Sequence, residues 1–257
     1  MSQARKRLDD LKVAAASTRR VAITRRRTRA RPDDILPGRR ATCRGKPYWL
    51  LETPFNAICR RPGVSPQHLS TPLRHPHPST GAVTIDPRRA MVVDIETGGF
   101  AGMPVFLIGL VLLDERPLAV RQLLARDYPE EETIVAALAR LAKSRDTWIT
   151  FNGKSFDVPF LIDRATLHRV PLVPPAVHVD LLHAARRRWG RNLPNCRLAT
   201  LETQILKRPR VGDIPSADVP DLFHYFIHTG RAGPLLPVLE HNQIDLLSST
   251  ELLVKLA

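Results

Sequence analysis

From about position 88 onward, apolar residues fall into short runs and helical stripes, whereas the first 40 positions hold few of them. Residues 91–95 form an apolar run that ends in acids, the pattern of a buried strand. Residues 105–113 predict a second strand and 118–124 a third, and the turn-like 114–117 between them is short enough for a meander. Over 130–142, Ile134, Val135, Leu138 and Leu141 recur at helical spacing. Residues 147–151 predict a fourth strand, 158–168 a second helix and 176–179 a fifth strand. Beyond them the pattern is helical, with Pro and Gly interruptions, to Leu256. The fold class expected is α/β: a mixed five-stranded sheet with helices on its faces.

The N-terminal third reads differently. Residues 1–40 carry runs such as Arg25-Arg26-Arg27, and they offer too little apolar surface to offset the entropy of ordering. They are expected to form a basic, disordered tail. Residues 41–87 are expected to be an irregular, Pro- and His-rich linker holding a short strand within 47–59. His75 and His77 lie there between prolines, without a nearby third ligand, and read as loop histidines. Residues 88–257 make up the remaining domain.

Charge follows the same division. Residues 1–88 hold 19 Lys and Arg against 6 Asp and Glu, a net +13, and residues 89–257 hold 20 against 19, a net +1. A segment so basic attracts polyanions, because neutralising phosphates releases condensed counterions. Nucleic acid is the partner this predicts, ahead of an acidic protein, a membrane surface or simple solubility. Cys43, Cys59 and Cys196 are odd in number and widely spaced, which points to a reducing compartment and a cytoplasmic location. The longest uncharged apolar stretch, 100–113, is too short for a bilayer and contains Pro and Gly, so no membrane association is expected.

Five residues carry the candidate chemistry. Asp94 and Glu96 lie two apart on the first strand, and alternation along a strand puts both on one face. Such a pair is either solvated or compensated by a cation. The Thr97-Gly98-Gly99 turn that follows leaves room for another backbone to approach. Asp157 sits where a strand gives way through Asn152-Gly153 to a helix. It reads as a helix N-cap, as a member of the Asp94 site, or as both. His241 and Asp245 share one face of the last helix. They read either as a surface pair or, given Leu246 and Leu247, as an inward-facing pair that needs a partner.

The order of these groups is specific. With V-D-I-E-T-G-G at 93–99, F-N-G-K-S-F-D-V-P-F-L-I-D-R at 151–164, H-V-D-L-L at 178–182 and H-N-Q-I-D-L-L at 241–247, the chain resembles the DEDD exonuclease superfamily of the ribonuclease H-like fold. Within that superfamily it is most similar to a bacterial ribonuclease H-like branch. The resemblance implies two divalent cations, Mg²⁺ or Mn²⁺, held by Asp94, Glu96, Asp157 and Asp245. It also implies a water activated near His241 and attack on phosphodiesters of DNA or RNA from the 3′ end. Carboxylate oxygens are the donors that hard cations prefer. One departure from the family pattern is that a His stands at the spacing usually taken by Tyr in the last motif.

Further expectations attach to neighbouring residues. Thr97 is expected to hold the terminal nucleotide, Asn152 to steady the loop carrying Asp157, and Lys154 to meet a phosphate. Asp180 reads as a helix cap or as a support for the site. Arg186-Arg187-Arg188-Trp189 reads either as a backbone-binding and stacking patch or as a solvated helix face with a buried Trp. Two rival functions remain: an endonuclease on the same fold, which unlike an exonuclease would cut a circular substrate, and a catalytically silent nucleic-acid-binding module. Burying four like charges without a cation costs stability, which argues against the silent module.

Overall fold

The computed structural model describes residues 36–77, 80–99, 102–210 and 212–257. Segment 1–35, with most of the disordered tail expected of 1–40, lies outside the described residues. In chain order the strands are β1 (Arg39–Cys43), β2 (Lys46–Pro54), β3 (Leu73–His77), β4 (Gly81–Ile85), β5 (Ala90–Thr97), β6 (Val105–Leu112), β7 (Ala119–Leu124), β8 (Thr147–Thr150) and β9 (Val177–Asp180). The helices are α1 (Phe55–Ile58), α2 (Glu131–Ala142), α3 (Asp157–Leu167), α4 (Leu181–Trp189), α5 (Leu198–Gln204), α6 (Val219–Thr229) and α7 (Leu236–Leu256).

The main sheet runs β1-β2-β7-β6-β5-β8-β9. Its first five strands are antiparallel, and β8 and β9 continue from β5 in parallel. The mixed α/β architecture expected from the pattern is present, with two more strands than the five predicted. Of those two, β2 falls where a short strand was expected within 47–59 but is part of the main sheet, and β1 claims the end of the expected tail and the start of the linker. Cys43, Tyr48 and Leu50 are buried in one core cluster, and β2 pairs with β7 from Trp49 to Pro54. A strand whose support comes from a partner some 70 residues away leaves little local signal. His75 is also no loop histidine. It lies in β3, is 1% exposed, and donates its Nδ1–H to the Pro76 carbonyl at 2.9 Å.

The alternation of β5 decides where the chemistry stands. Met91, Val93 and Ile95 pack in the cluster containing Ile134, Val135, Leu138 and Leu161 of α2 and α3. Val92 packs instead with Leu246, Leu247, Leu252 and Leu253 of α7. Period-two geometry therefore turns Asp94 and Glu96 toward the α7 face. Residues Gln122, Gly109 and Asp94 stand side by side across β7, β6 and β5. Gln122 Nε2 donates to Asn242 Oδ1 at 2.9 Å and to the Leu239 carbonyl at 2.8 Å, and Asn242 Nδ2 donates to Asp94 Oδ2 at 2.7 Å. This buried chain sets the rotation of α7 over the sheet.

Gly109 makes that contact possible. A Cβ there would lie 2.3 Å from Asn242 Oδ1 and 2.5 Å from Leu246 Cδ1. Gly109→Ala is expected to destabilise the domain by about 1–3 kcal/mol, the usual cost of overpacking. It should also reduce any activity that depends on Asp94 and α7 together. Thermal melting and an activity assay check this, and a fully stable, fully active variant would show that α7 is not seated through Gly109.

Candidate active site

The acids predicted from separate motifs converge. Asp94 and Glu96 end β5, where the pairing with β6 shifts register between Glu96 and Thr97. Asp157 opens α3, but it is not the N-cap; that position belongs to Phe156, which makes no side-chain cap. Instead Asp157 Oδ1 accepts the Ile95 amide at 3.2 Å, tying the helix start to the strand between the two other acids. Gly153 lets the loop fold this tightly, since a Cβ there would sit 2.8 Å from Asp157 Oδ2 and 2.6 Å from Thr150 Oγ1.

The electrostatics follow from that convergence. Burial, then the charges of Asp245, Asp157 and Glu96, push the Asp94 pKa well above the carboxylate range. Burial and the charges of Asp245, Asp157 and Asp213 do the same to Glu96. Burial raises Asp157 to about 7 despite its backbone hydrogen bonds. Asp245 is raised by burial, with Arg210 and His241 opposing. Four carboxylates raised by burial, and in Asp94 and Glu96 also by the charges of their neighbours, call for positive charge.

One source of it is a residue that sequence reasoning missed. Arg210 forks onto Glu202, with Nε–Oε2 at 2.5 Å and Nη2–Oε1 at 2.7 Å, and the same Nη2 donates to Asp245 Oδ1. Its Nη1 donates to Asp213 Oδ2 at 3.0 Å. Glu202 is 0% exposed and also accepts the Ser248 hydroxyl at 2.5 Å. Nothing in the short segment Arg208-Pro209-Arg210 carries a periodic or motif signal that would have found it. Asn242, by contrast, lies inside the H-N-Q-I-D motif.

His241 Nδ1 bonds Asp213 Oδ1 at 2.6 Å, and its Nε2 lies 3.8 Å from Asp245 Oδ2. Burial opposes ionisation of Asp213, but the hydrogen bond and charge of His241, with Arg210, outweigh it and hold its pKa down. Asp180 is the N-cap of α4 through the Leu182 amide at 3.0 Å. The same carboxylate accepts the amides of Asn152 at 2.9 Å and Lys154 at 3.1 Å. Asp180 therefore steadies the loop, holding Asn152 at φ 65°, a part expected of Asn152 itself. Thr97 spends its hydroxyl proton on the Gly99 carbonyl at 2.7 Å. Trp189 is half-buried and packs against the core beneath α4, while Arg186, Arg187 and Arg188 are exposed.

In kind and charge the donor set fits divalent cations: hard oxygen ligands, crowded together, with one guanidinium among them. Among the described residues, no three His, Cys, Asp or Glu side chains stand as they are in a metal-holding arrangement. Asp245 is engaged by Arg210 instead.

The raised pKa values predict a pH dependence. The folded-state pKa of Asp157, about 7, lies above its unfolded value near ~3.9. Between these values the folded protein binds more protons, so this group's contribution to stability falls as pH rises from about 4 to about 7 and then levels off. In EDTA, the melting temperature of wild type relative to Asp157→Asn should drop between about pH 5 and pH 7.5. A difference that stays flat or moves in favour of wild type would contradict the buried, crowded setting.

Comparison with known proteins bears on the fold and the family. Over 171 residues, 64% of this chain, it is 35% identical to "Uncharacterized protein YprB" of Bacillus subtilis (strain 168), and it spans 41% of that protein's length. Its fold matches the family B DNA polymerase from the hyperthermophilic archaeon Pyrobaculum calidifontis with a TM-score of 0.54, at 16% identity, over 72% of this chain and 28% of the polymerase. No described helix is long and apolar enough to cross a membrane. The family RNase_H_2, described as RNase_H superfamily, matches residues 91–257, a span that holds all four carboxylates, and the chain belongs to that superfamily.

Proposed function

We propose that this protein is a metal-dependent 3′–5′ exonuclease that hydrolyses phosphodiester bonds of DNA or RNA. Membership of the RNase_H superfamily supports a nuclease-type hydrolase in general. The observation that carries the finer reading is the gathering of Asp94, Glu96, Asp157 and Asp245 at one strand end, with Asp157 tied to the Ile95 amide and Asp94 to Asn242, where burial raises the pKa of every one of them. These four carboxylates would hold two Mg²⁺ or Mn²⁺ ions, which when bound stabilise the attacking and leaving oxygens of a phosphodiester. Asn242 holds one Asp94 oxygen and the Ile95 amide holds one Asp157 oxygen, so each carboxylate keeps a second oxygen for a ligand. Asp213 accepts the His241 Nδ1 proton, which fixes the tautomer whose Nε2 can take a proton from water. The 3′ polarity follows the motif resemblance. Thr97, Asn152 and Lys154 would meet the nucleotide at the rim.

A Mn²⁺-dependent digestion panel of end-labelled linear and circular DNA and RNA tests this. Shortening from the 3′ end with circles intact is expected, and cutting of circles would replace the reading with an endonuclease. No hydrolysis of any substrate would leave a silent binding module.

The basic N-terminal segment should supply affinity rather than chemistry. Residues 1–35 hold 11 Lys and Arg against 4 Asp and Glu. Removing them is expected to weaken binding at low salt and to flatten its salt dependence, by roughly 0.7 in slope per lost single-strand phosphate contact. Turnover at saturating substrate should persist. An unchanged slope would assign the segment to another partner.

A further inference from the structure

Immediately beside the acids lies an open cleft of about 500 Å³, lined by Phe151, Asn152, Arg186, Asn195, Arg197 and Leu198 among others. Asn152 lines the cleft, and the next residue, Gly153, packs against the Asp157 carboxylate. The two regions are also braced together. Asp180 accepts the amides of Asn152 and Lys154 from the Asp157 loop and the amide of Leu182 from the cleft wall. Cleft and carboxylates therefore share one rigid support at the carboxyl ends of β8 and β9.

The charge of this wall is unusual within the domain. Residues 181–198 contain five arginines and no Asp or Glu. Elsewhere, Arg39, Arg89, Arg126, Arg145, Arg164 and Arg210 bind carboxylates, whereas scattered arginines such as Arg44, Arg74 and Arg140 form no ion pair among the described residues; the wall differs in gathering its arginines at one cleft. Arg186 and Arg197 are exposed and have no ion-pair partner among the described residues. The α4 dipole accounts for basic groups in its last turn, but not for Arg197, which precedes α5. Unpaired guanidiniums beside a phosphodiester-cutting site are placed to bind phosphates, bidentately and without sequence preference.

We propose that this cleft seats a single-stranded segment of the substrate next to the scissile phosphate, with Arg186 and Arg197 on its backbone phosphates. The volume falls within the ~300–1,000 Å³ typical of small-ligand sites, room for one or two nucleotides of one strand and not for a duplex. Phe151 and Asn195 supply an apolar face and an amide for a base. The inference rests on the nuclease reading above and adds the path of the strand.

The test measures binding of a labelled single-stranded oligonucleotide by the full chain across a salt series, with Ca²⁺ in place of Mn²⁺. Arg186→Gln with Arg197→Gln is expected to flatten the plot of log affinity against log salt by about 1.4, two contacts at ~0.7 each. The paired Lys variants should keep the wild-type slope. An unchanged slope in the Gln pair overturns the proposal, as does an equal loss on a blunt duplex. Hydrolysis of bis(p-nitrophenyl) phosphate by wild type with Mn²⁺ reports on the carboxylates without the cleft. Failure there would count against the nuclease reading and leave the binding slopes interpretable.

Discussion

Asp94→Asn is expected to lower hydrolysis by three or more powers of ten, roughly 4 kcal/mol of transition-state stabilisation, while leaving the fold intact. Asp94 is the acid on which the other three carboxylates act together, and its Oδ2 is the end of the Gln122–Asn242 chain. The asparagine keeps an oxygen to accept the Asn242 amide, so α7 should stay seated. It removes an acid that burial and its neighbours keep from ionising freely, a cost present at neutral pH and absent from the amide, so the metal-free variant should melt higher than wild type at neutral pH. Activity measured with Mn²⁺ and melting measured in EDTA give the two readouts. A variant that melts higher and is inactive fits a metal-holding carboxylate. A variant that keeps its activity would place the chemistry elsewhere, whatever its stability.

The second large effect falls on stability. Arg210→Ala would leave Glu202, 0% exposed, with the Ser248 hydroxyl as its remaining side-chain partner among the described residues. Breaking a buried ion pair from one side costs about 3–5 kcal/mol, because the other charge stays buried without compensation. For a domain of this size that corresponds to a loss of roughly 6–20 °C in melting temperature. Replacing both partners, Glu202→Gln with Arg210→Met, should recover part of the loss, since the fully buried charge of Glu202 goes with its partner while Asp245 still loses its guanidinium. Arg210→Lys should recover little, because an ammonium cannot fork onto Glu202 and reach Asp245 and Asp213 at once. If Arg210→Ala melted within a degree or two of wild type, the guanidinium would be a surface counterion and not a strut of the site.

Much of this site was legible from local pattern. The apolar runs and helical stripes located β5 through β9, α2 and α3 to within a few residues, because buried faces impose a period of two or 3.6 on any chain that folds this way. The same alternation put Asp94 and Glu96 on one face, and the spacing of His241 and Asp245 put them on one side of α7. What local pattern could not carry is contact between distant segments. Asp157 looked like a helix cap and became a tether to the Ile95 amide. The strand β1 looked like tail and linker, and the short strand expected within 47–59 gave no sign that it joins the main sheet, since the support of both comes from β7 and α2.

The sequence by itself determined which residue types stand at which element ends, because alternation and helical spacing are properties of neighbours along the chain. The tertiary structure decided the rest. Gly109 lets α7 descend onto the sheet, the Gln122–Asn242–Asp94 chain sets its rotation, and Glu202 holds Arg210 against Asp245. Each of these joins residues far apart in the chain, where packing and desolvation, rather than local preference, choose the partner.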